Sequence, residues 1–309
     1  MHRTVVKSFA ALASAALHGG LGRAPGAGER NAGMVLGRWR LDERISAHRG
    51  TEVFAAMPVA GERSQARYAV KRLLDSAAEA TEITALRREV QAAGEVRSPH
   101  VVSVLEAHVH APPYYFVMPR LAGSSLAALS VDGEPLAVAP ALGIARQAAL
   151  GLEALHDAGR LHGDLKPGNV LVAPGGHVTL VDLGFSRRID DCRDADACYV
   201  LGTVDYLAPE AVCSRLTADV RSDLYSLGVM LYEMLAGRLP FEAATTAEMV
   251  AAHVSADPPP LRELNSQVPN DVAELVHSLL AKQPLRRPQS ANDVVDQLVR
   301  LEIRHFDLR

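Results

Sequence analysis

Asp164 and Asn169 lie five positions apart with Lys166 between them, in the run Leu161-His162-Gly163-Asp164-Leu165-Lys166-Pro167-Gly168-Asn169, and Asp182-Leu183-Gly184 begins 13 residues after Asn169. A carboxylate at 164 can accept or steer the proton of a hydroxyl nucleophile. Lys166 can offset charge on a phosphate, while Asn169 and Asp182 offer the side-chain oxygens that hard divalent cations take. A proton acceptor, a flexible cation and two oxygen ligands together are the equipment of phosphoryl transfer.

Such groups work only when other elements hold them. Ahead of the run, Trp39-Arg40-Leu41 opens a polar and apolar alternation, and Glu52 to Met57 and Tyr68 to Leu73 read as paired strands. Thr81 to Ala93 carries Ile83, Leu86 and Val90 at helical spacing, and Val101 to His108 and Tyr114 to Met118 read as two more strands. Beyond them the pattern turns helical. Ala141 to Ala158 places Ile144, Ala148, Leu152 and Leu155 on one face, and Asp223 to Ala236 combines Leu224, Leu227, Val229 and Leu231 with few charges, as a buried central helix would. Ala247 to His253, Asn270 to Leu280 and Ser290 to Ile303 are further helices separated by prolines. No internal repeat is evident.

The 309 residues, 48% of them hydrophobic, are enough to bury substantial cores, as one large domain or as two lobes. A net charge of -4, from 32 basic and 36 acidic side chains, leaves no basic footprint and argues against nucleic acid as the principal partner. Cys192, Cys198 and Cys213 form no dense framework, so a reducing compartment is the simpler expectation. The start of the chain is basic from Met1 to Lys7, then small and apolar from Ser8 to Leu17. It resembles a weak targeting sequence, but the run breaks at His18-Gly19-Gly20; a flexible or amphipathic leader with a linker from Gly19 to Gly33 is expected instead. No later stretch has 18 continuous apolar residues, so no transmembrane segment is expected.

The loop around Asp164 resembles that of the eukaryotic-like serine/threonine protein kinases of bacterial type, which reads His-Arg-Asp-Leu-Lys-Pro-x-x-Asn, and the resemblance continues in order through the chain. Tyr68-Ala69-Val70-Lys71 is similar to the family's strand lysine, and Glu89, 18 residues later, to its ion-pair partner, although Glu79, Glu82 and Glu95 are near. Asp182-Leu183-Gly184 resembles the metal-binding triplet with Leu for Phe, and Ala208-Pro209-Glu210 the end of the activation segment. Asp223 and Arg287 resemble the anchors of the large lobe; Arg286, adjacent, is the alternative to Arg287. Residues 37 to 300 are covered.

The resemblance implies an α+β, bilobal fold with a small, mainly β N-lobe containing one key helix and a larger, mainly α C-lobe. The implied organisation is a leader over 1–34, N-lobe over 35–118, hinge over 119–123, C-lobe over 124–305 and tail over 306–309. It also implies ATP-dependent transfer of the γ-phosphoryl group to a protein serine or threonine, with Mg²⁺ or alternatively Mn²⁺, in the cytoplasm, and room for a separate regulatory partner. Asp164 would steer the hydroxyl proton and Lys166 neutralise the moving phosphoryl group. Lys71, restrained by Glu89, would contact the α and β phosphates, and Asn169 and Asp182 would hold metal. Ile45, Val53, Ala69, Met118 (at the gatekeeper place) and Arg120 would line the nucleotide pocket, with Pro119 removing one hinge donor. Glu210, Asp223 and Arg287 would be structural.

Two departures stand out. Where the family has Gly-x-Gly-x-x-Gly, this chain reads Ser46-Ala47-His48-Arg49-Gly50-Thr51, with all three glycine places substituted and Gly50 off the pattern. Glycine there lets a backbone approach phosphates, so the substitution leaves a catalytically impaired scaffold or allosteric regulator as the alternative reading. Gly163 takes the place of the loop arginine, so a phosphorylated activation segment would lose a bidentate partner. The hydroxyl candidates in that segment are Ser186, Tyr199 and Thr203, and Thr203 is expected to shape the acceptor site. Arg187 and Arg188 could meet a phosphate or form a solvated pair, and Cys192 and Cys198 a redox pair or two free thiols.

Overall fold

The alternating pattern of the first third of the chain folds into a curled antiparallel sheet. In a computed structural model, which describes residues 33–48, 50–60, 66–74, 79–130, 133–193, 203–212 and 218–306, six strands line up as β1-β2-β3-β4-β6-β5. They are β1 (Val35–Leu36), β2 (Trp39–His48), β3 (Thr51–Pro58), β4 (Tyr68–Leu73), β5 (Glu106–His108) and β6 (Tyr115–Pro119). Side chains two apart share a face of a strand, so Trp39 and Leu41, Phe54 and Ala56, and Tyr115 and Val117 meet in one small core with Val70. Helix α1 (Ala80–Glu95) buries Leu86, Glu89, Ala92 and Ala93 at helical spacing. A glutamate on the buried face of a helix must find a cation, and that requirement ties α1 to the sheet.

The strand expected over Val101 to His108 forms only at Glu106–His108. Its first half is drawn elsewhere: Val101 makes a single parallel bridge to Leu180, Val102 donates its N–H to the Leu180 carbonyl, and both valines are buried in the core of the helical lobe. An apolar run belongs to whichever core covers it, and periodicity alone does not say which.

The larger lobe begins with β7 (Ser124–Ser125), α2 (Leu126–Leu129) and α3 (Val138–Asp157). Strands β8 (Arg160–Leu161), β9 (Val170–Val172), β10 (Val178–Leu180) and β11 (Arg187–Arg188) follow, as a three-stranded sheet β10-β9-β7 and a ribbon β8-β11. Helices α4 (Pro209–Val212), α5 (Val220–Ala236), α6 (Thr246–Ser255), α7 (Leu261–Leu264), α8 (Asn270–Leu279) and α9 (Ala291–Arg304) complete it. The starts of α5, α6 and α9 are set by reciprocal capping boxes, Asp219 with Ser222, Thr245 with Glu248 and Ser290 with Asp293. The result is the α+β architecture with a small sheet-rich lobe and a larger helical one. Among the described residues no helix is long and apolar enough to cross a membrane. The leader up to residue 32, Arg49, Tyr199 and the side chains of Cys192, Cys198 and Cys213 lie outside the described residues.

Core helices approach closely where the sequence supplies small residues. Alanines 141, 145, 148 and 149 of α3 are fully buried, and a Cβ built on Gly228 of α5 would stand 2.6 Å from Leu279 Cβ of α8. That crossing has no room for a side chain. Gly228→Val is therefore expected to lower the unfolding free energy by about 1–3 kcal/mol in urea titrations, through overpacking against Leu279; an unchanged midpoint would show that α8 can move aside freely.

Candidate functional site

Lys71 lies on β4, paired across the sheet with Val53 of β3 and Phe116 of β6. Its ammonium meets Glu89 Oε2 of α1 at 2.6 Å and Asp182 Oδ1 at 3.0 Å. Burial by itself would lower the lysine's pKa, but the two carboxylates outweigh it and raise it, so Lys71 is a fixed cation. Burial pushes the Glu89 carboxyl upward, against the pull of Lys71. Asp182 is held below the usual carboxylate range, because Lys71 overcomes the opposing effect of burial. The other glutamates weighed from sequence are elsewhere: Glu95 takes the guanidinium of Arg160, Glu82 accepts from Thr81, and Glu79 is the residue preceding α1.

Asp182 has a left-handed backbone, φ 62°, alone among the described non-glycine residues. A non-glycine residue held there costs roughly 1–3 kcal/mol, a cost the surrounding contacts must cover. Leu183 beside it is fully buried in the core of the helical lobe, and its N–H bonds Glu89. The apolar side chain anchors the turn while its neighbour's carboxylate reaches Lys71.

The loop after β8 is held from below. Asp223, near the start of α5, accepts the N–H groups of His162 (2.8 Å) and Gly163 (3.0 Å), and His156 Nε2 of α3 lies 2.9 Å from the same carboxylate. Burial would raise its pKa; His156, His162 and the Gly163 N–H hold it low instead. Gly163 has φ 78°, and an added Cβ would come 2.7 Å from the Phe185 carbonyl. Asp164, 6% exposed, receives Lys166 Nζ at 2.7 Å on Oδ2 and the Thr203 N–H at 2.7 Å on Oδ1. Asn169 donates to the Asp164 carbonyl at 2.7 Å and to Oδ2 at 3.1 Å, and Lys166 also donates to the Thr203 hydroxyl. Thr203 thus meets both charged groups of the loop. Ser186, the first hydroxyl candidate of that segment, is 1% exposed and inaccessible to a phosphoryl donor as it stands.

Arg287, not the exposed Arg286, reaches Glu210: Nη1 and Nη2 bond its two carboxylate oxygens at 2.6 and 2.8 Å, both side chains buried, with Ser222 Oγ donating to Oε1 at 2.8 Å. The guanidinium also donates to the carbonyls of Ala281 and Arg221 and stacks over Tyr225.

Of the residues expected to line a nucleotide pocket, Ala69 is buried opposite Met118 in the β4–β6 register, Val53 is half-buried and Ile45 is 48% exposed. Arg120 turns its guanidinium to Glu43 of β2 at 2.7 Å, and its main-chain N–H donates to the Arg67 carbonyl.

The loop joining β2 and β3 is a tight hairpin. His48 pairs with Thr51, the Thr51 hydroxyl donates to the His48 carbonyl at 2.7 Å, and Gly50 takes φ 74° in the turn. Gly50, off the family pattern, is thereby used by the turn itself. Next to the turn, one pair below His48 and Thr51, Glu52, 4% exposed, is clamped by Arg44 (2.8 Å) and Arg72 (2.7 Å). The sequence reading passed over this trio, and over His156. The signal for the trio was available: Glu52 sits two residues from Phe54, on the buried face of β3, where an acidic group requires partners.

Oxygens left for a cation are Asp182 Oδ2 and Asn169 Oδ1. No group of three or more His, Cys, Asp or Glu suited to a metal occurs among the described residues. Two protein oxygens completed by phosphate and water is the pattern Mg²⁺ favours, so the residues present fit a Mg²⁺-nucleotide.

Comparison with known proteins agrees with this geometry. The protein kinase domain model matches residues 52–299. Serine/threonine-protein kinase PrkC of Bacillus subtilis is 30% identical over 261 residues, 84% of this chain and 40% of its own length. Probable serine/threonine-protein kinase PknB of Corynebacterium glutamicum is 31% identical over 281 residues (87% and 43%), and serine/threonine-protein kinase pkn2 of Myxococcus xanthus 37% over 221 (69% and 26%). The chain spans less than half the length of these relatives.

Removing the guanidinium from the Glu210 pair would leave a carboxylate buried without a cation. Arg287→Met is expected to cost about 3–5 kcal/mol of stability, read by urea denaturation, with the double variant Arg287→Met/Glu210→Leu recovering a measurable part.

Proposed function

The chain belongs to the protein kinase family, alongside the bacterial serine/threonine kinases, and from that premise we propose that it transfers the γ-phosphoryl group of ATP to a serine or threonine hydroxyl of a protein. One observation carries the reading: Lys71 is clasped between Glu89 and Asp182 while Asp164 is bonded to Lys166, Asn169 and Thr203, so every charged group that phosphoryl transfer needs is engaged at once. Bound Mg²⁺-ATP would supply the transferable group and the leaving diphosphate. Asp164 takes or directs the hydroxyl proton, and Lys166, two residues on, offsets charge as the new bond to phosphorus forms. Asn169 and Asp182 hold the cation, and Lys71 holds the phosphates that stay behind. Asp223, Glu210 and Arg287 touch no reactant and keep the loop and the activation segment in place. ATP supply assigns this work to the cytoplasm, with Mn²⁺ as a substitute for Mg²⁺.

A second reading, a catalytically impaired scaffold or allosteric regulator, is favoured by the hairpin alone. Ser46, His48 and Thr51 carry side chains where glycines would let the backbone close on phosphates. His48 is exposed and can donate to phosphate in place of the backbone. The clasped lysine weighs more, since a scaffold has no need for a cation poised beside a metal-binding carboxylate.

Transfer of labelled γ-phosphate from ATP with Mg²⁺ or Mn²⁺, to the chain itself and to myelin basic protein, separates the two. Asp164→Asn is expected to lose about 10²–10⁴-fold in rate with its melting temperature nearly unchanged. A folded wild-type chain that transfers nothing with either metal would favour the scaffold, or a requirement for a regulatory partner.

A further inference from the structure

His253 of α6 is 1% exposed, and none of the chemistry above uses it. Both ring nitrogens are engaged, with two different elements. The Tyr225 hydroxyl of α5 lies 2.9 Å from Nδ1, and Nε2 lies 3.0 Å from the main-chain carbonyl of Asp205, in the turn Val204–Tyr206. A carbonyl only accepts, so Nε2 carries the proton; Nδ1 is then a lone pair, and the tyrosine must be its donor. Burial and the nearby Lys282 push the ring down to about 4, so it is neutral in the physiological range.

The surroundings fix the ring. Phe241 meets it edge-on at 5.1 Å, and Lys282 Nζ lies 4.2 Å over Phe241 while donating to the carbonyls of Ala252 (3.2 Å) and His253 (2.8 Å) at the end of α6. A leucine could fill the volume but could not present a donor to Asp205.

The Asp205 carbonyl stands two residues after Thr203, whose N–H is on Asp164 and whose hydroxyl takes Lys166. An unbroken path of bonds therefore runs from α6 through this turn to the groups proposed to act on the acceptor hydroxyl. Thr246, Ala247, Glu248 and Val254 of α6 are exposed, and α6 packs against that turn. Resting on the transfer reading above, we propose that His253 is a positioning residue for the protein acceptor: its tautomer-locked Nε2–H holds the segment 203–206 to α6, so that an acceptor lying across both is presented to Asp164.

Steady-state transfer to myelin basic protein by the full chain tests this. His253→Leu is expected to raise the KM for the acceptor about tenfold, as loss of one well-placed buried hydrogen bond does, with the KM for ATP within about twofold. His253→Gln, which can place an N–H near the Nε2 position, should recover most of it. Equal changes in both KM values, or a loss of kcat that only tracks a lower melting temperature, would make the residue merely structural and overturn the proposal. Tyr225→Phe, which keeps the ring and removes the donor, guards against misfolding of the leucine variant: the acceptor KM should rise about threefold, and no rise counts against the idea. Should the wild-type chain transfer nothing, the transfer reading fails separately. Hydrogen exchange then decides the coupling, with the amides of 203–207 expected to exchange about tenfold faster in Tyr225→Phe, and equal rates rejecting it.

Discussion

A carboxylate taken out of water must be met by a cation or by aimed N–H groups, and this molecule is organised around that constraint. Glu89 is met by Lys71, Glu210 by Arg287, Glu52 by Arg44 and Arg72, Asp164 by Lys166 and Thr203, and Asp223 by His156 and the N–H groups of His162 and Gly163. Lys166 is local to Asp164 and Arg44 lies on the strand next to Glu52; the other pairings join elements further apart in the chain. A helix is tied to a sheet, the activation segment to the far end of the lobe, and a loop to two helices. Remove the requirement to satisfy buried charge, and the parts that carry the chemistry have no reason to meet.

The helical lobe supplies the stiffness against which those charges are aimed. Its centre is built from alanines and leucines of α3 and α5, with a glycine where α5 crosses α8, so the backbones pack closely and Asp223 projects from a helix that cannot readily shift. The loop that carries Asp164 hangs from that carboxylate through two N–H donors. Gly163, with its left-handed φ and its contact with the Phe185 carbonyl, lets the loop pass close beneath the activation segment. The same residue removes the arginine that the family usually has there. Backbone approach and loss of a phosphate-binding side chain are consequences of one substitution.

The small lobe sets a buried ion cluster directly beside the turn of its β2–β3 hairpin. Glu52 and its two arginines brace the β2–β3 hairpin on one face, and Lys71 is clasped on the neighbouring strand, while the tip carries ordinary side chains where the family has glycines. Gly50 is present because a two-residue turn between His48 and Thr51 needs a left-handed backbone.

Much of this was legible in the chain. Motif spacing picked out Lys71, Asp164, Asn169 and Asp182, and periodicity marked most helices and the paired strands, because both are local properties written in residue order. The folded structure alone settled which members of similar neighbours are used: Glu89 rather than Glu95, Arg287 rather than Arg286, Leu180 of the helical lobe rather than the sheet as the partner of Val101. It also decided which groups hold the loops, since His156, Thr203, Arg44 and Arg72 are ordinary residues until folding brings a buried carboxylate within 3 Å of each. Sequence determines which residues can do chemistry and which faces must be buried; only burial itself decides which charge meets which, because that choice is made by distances across the chain and not along it.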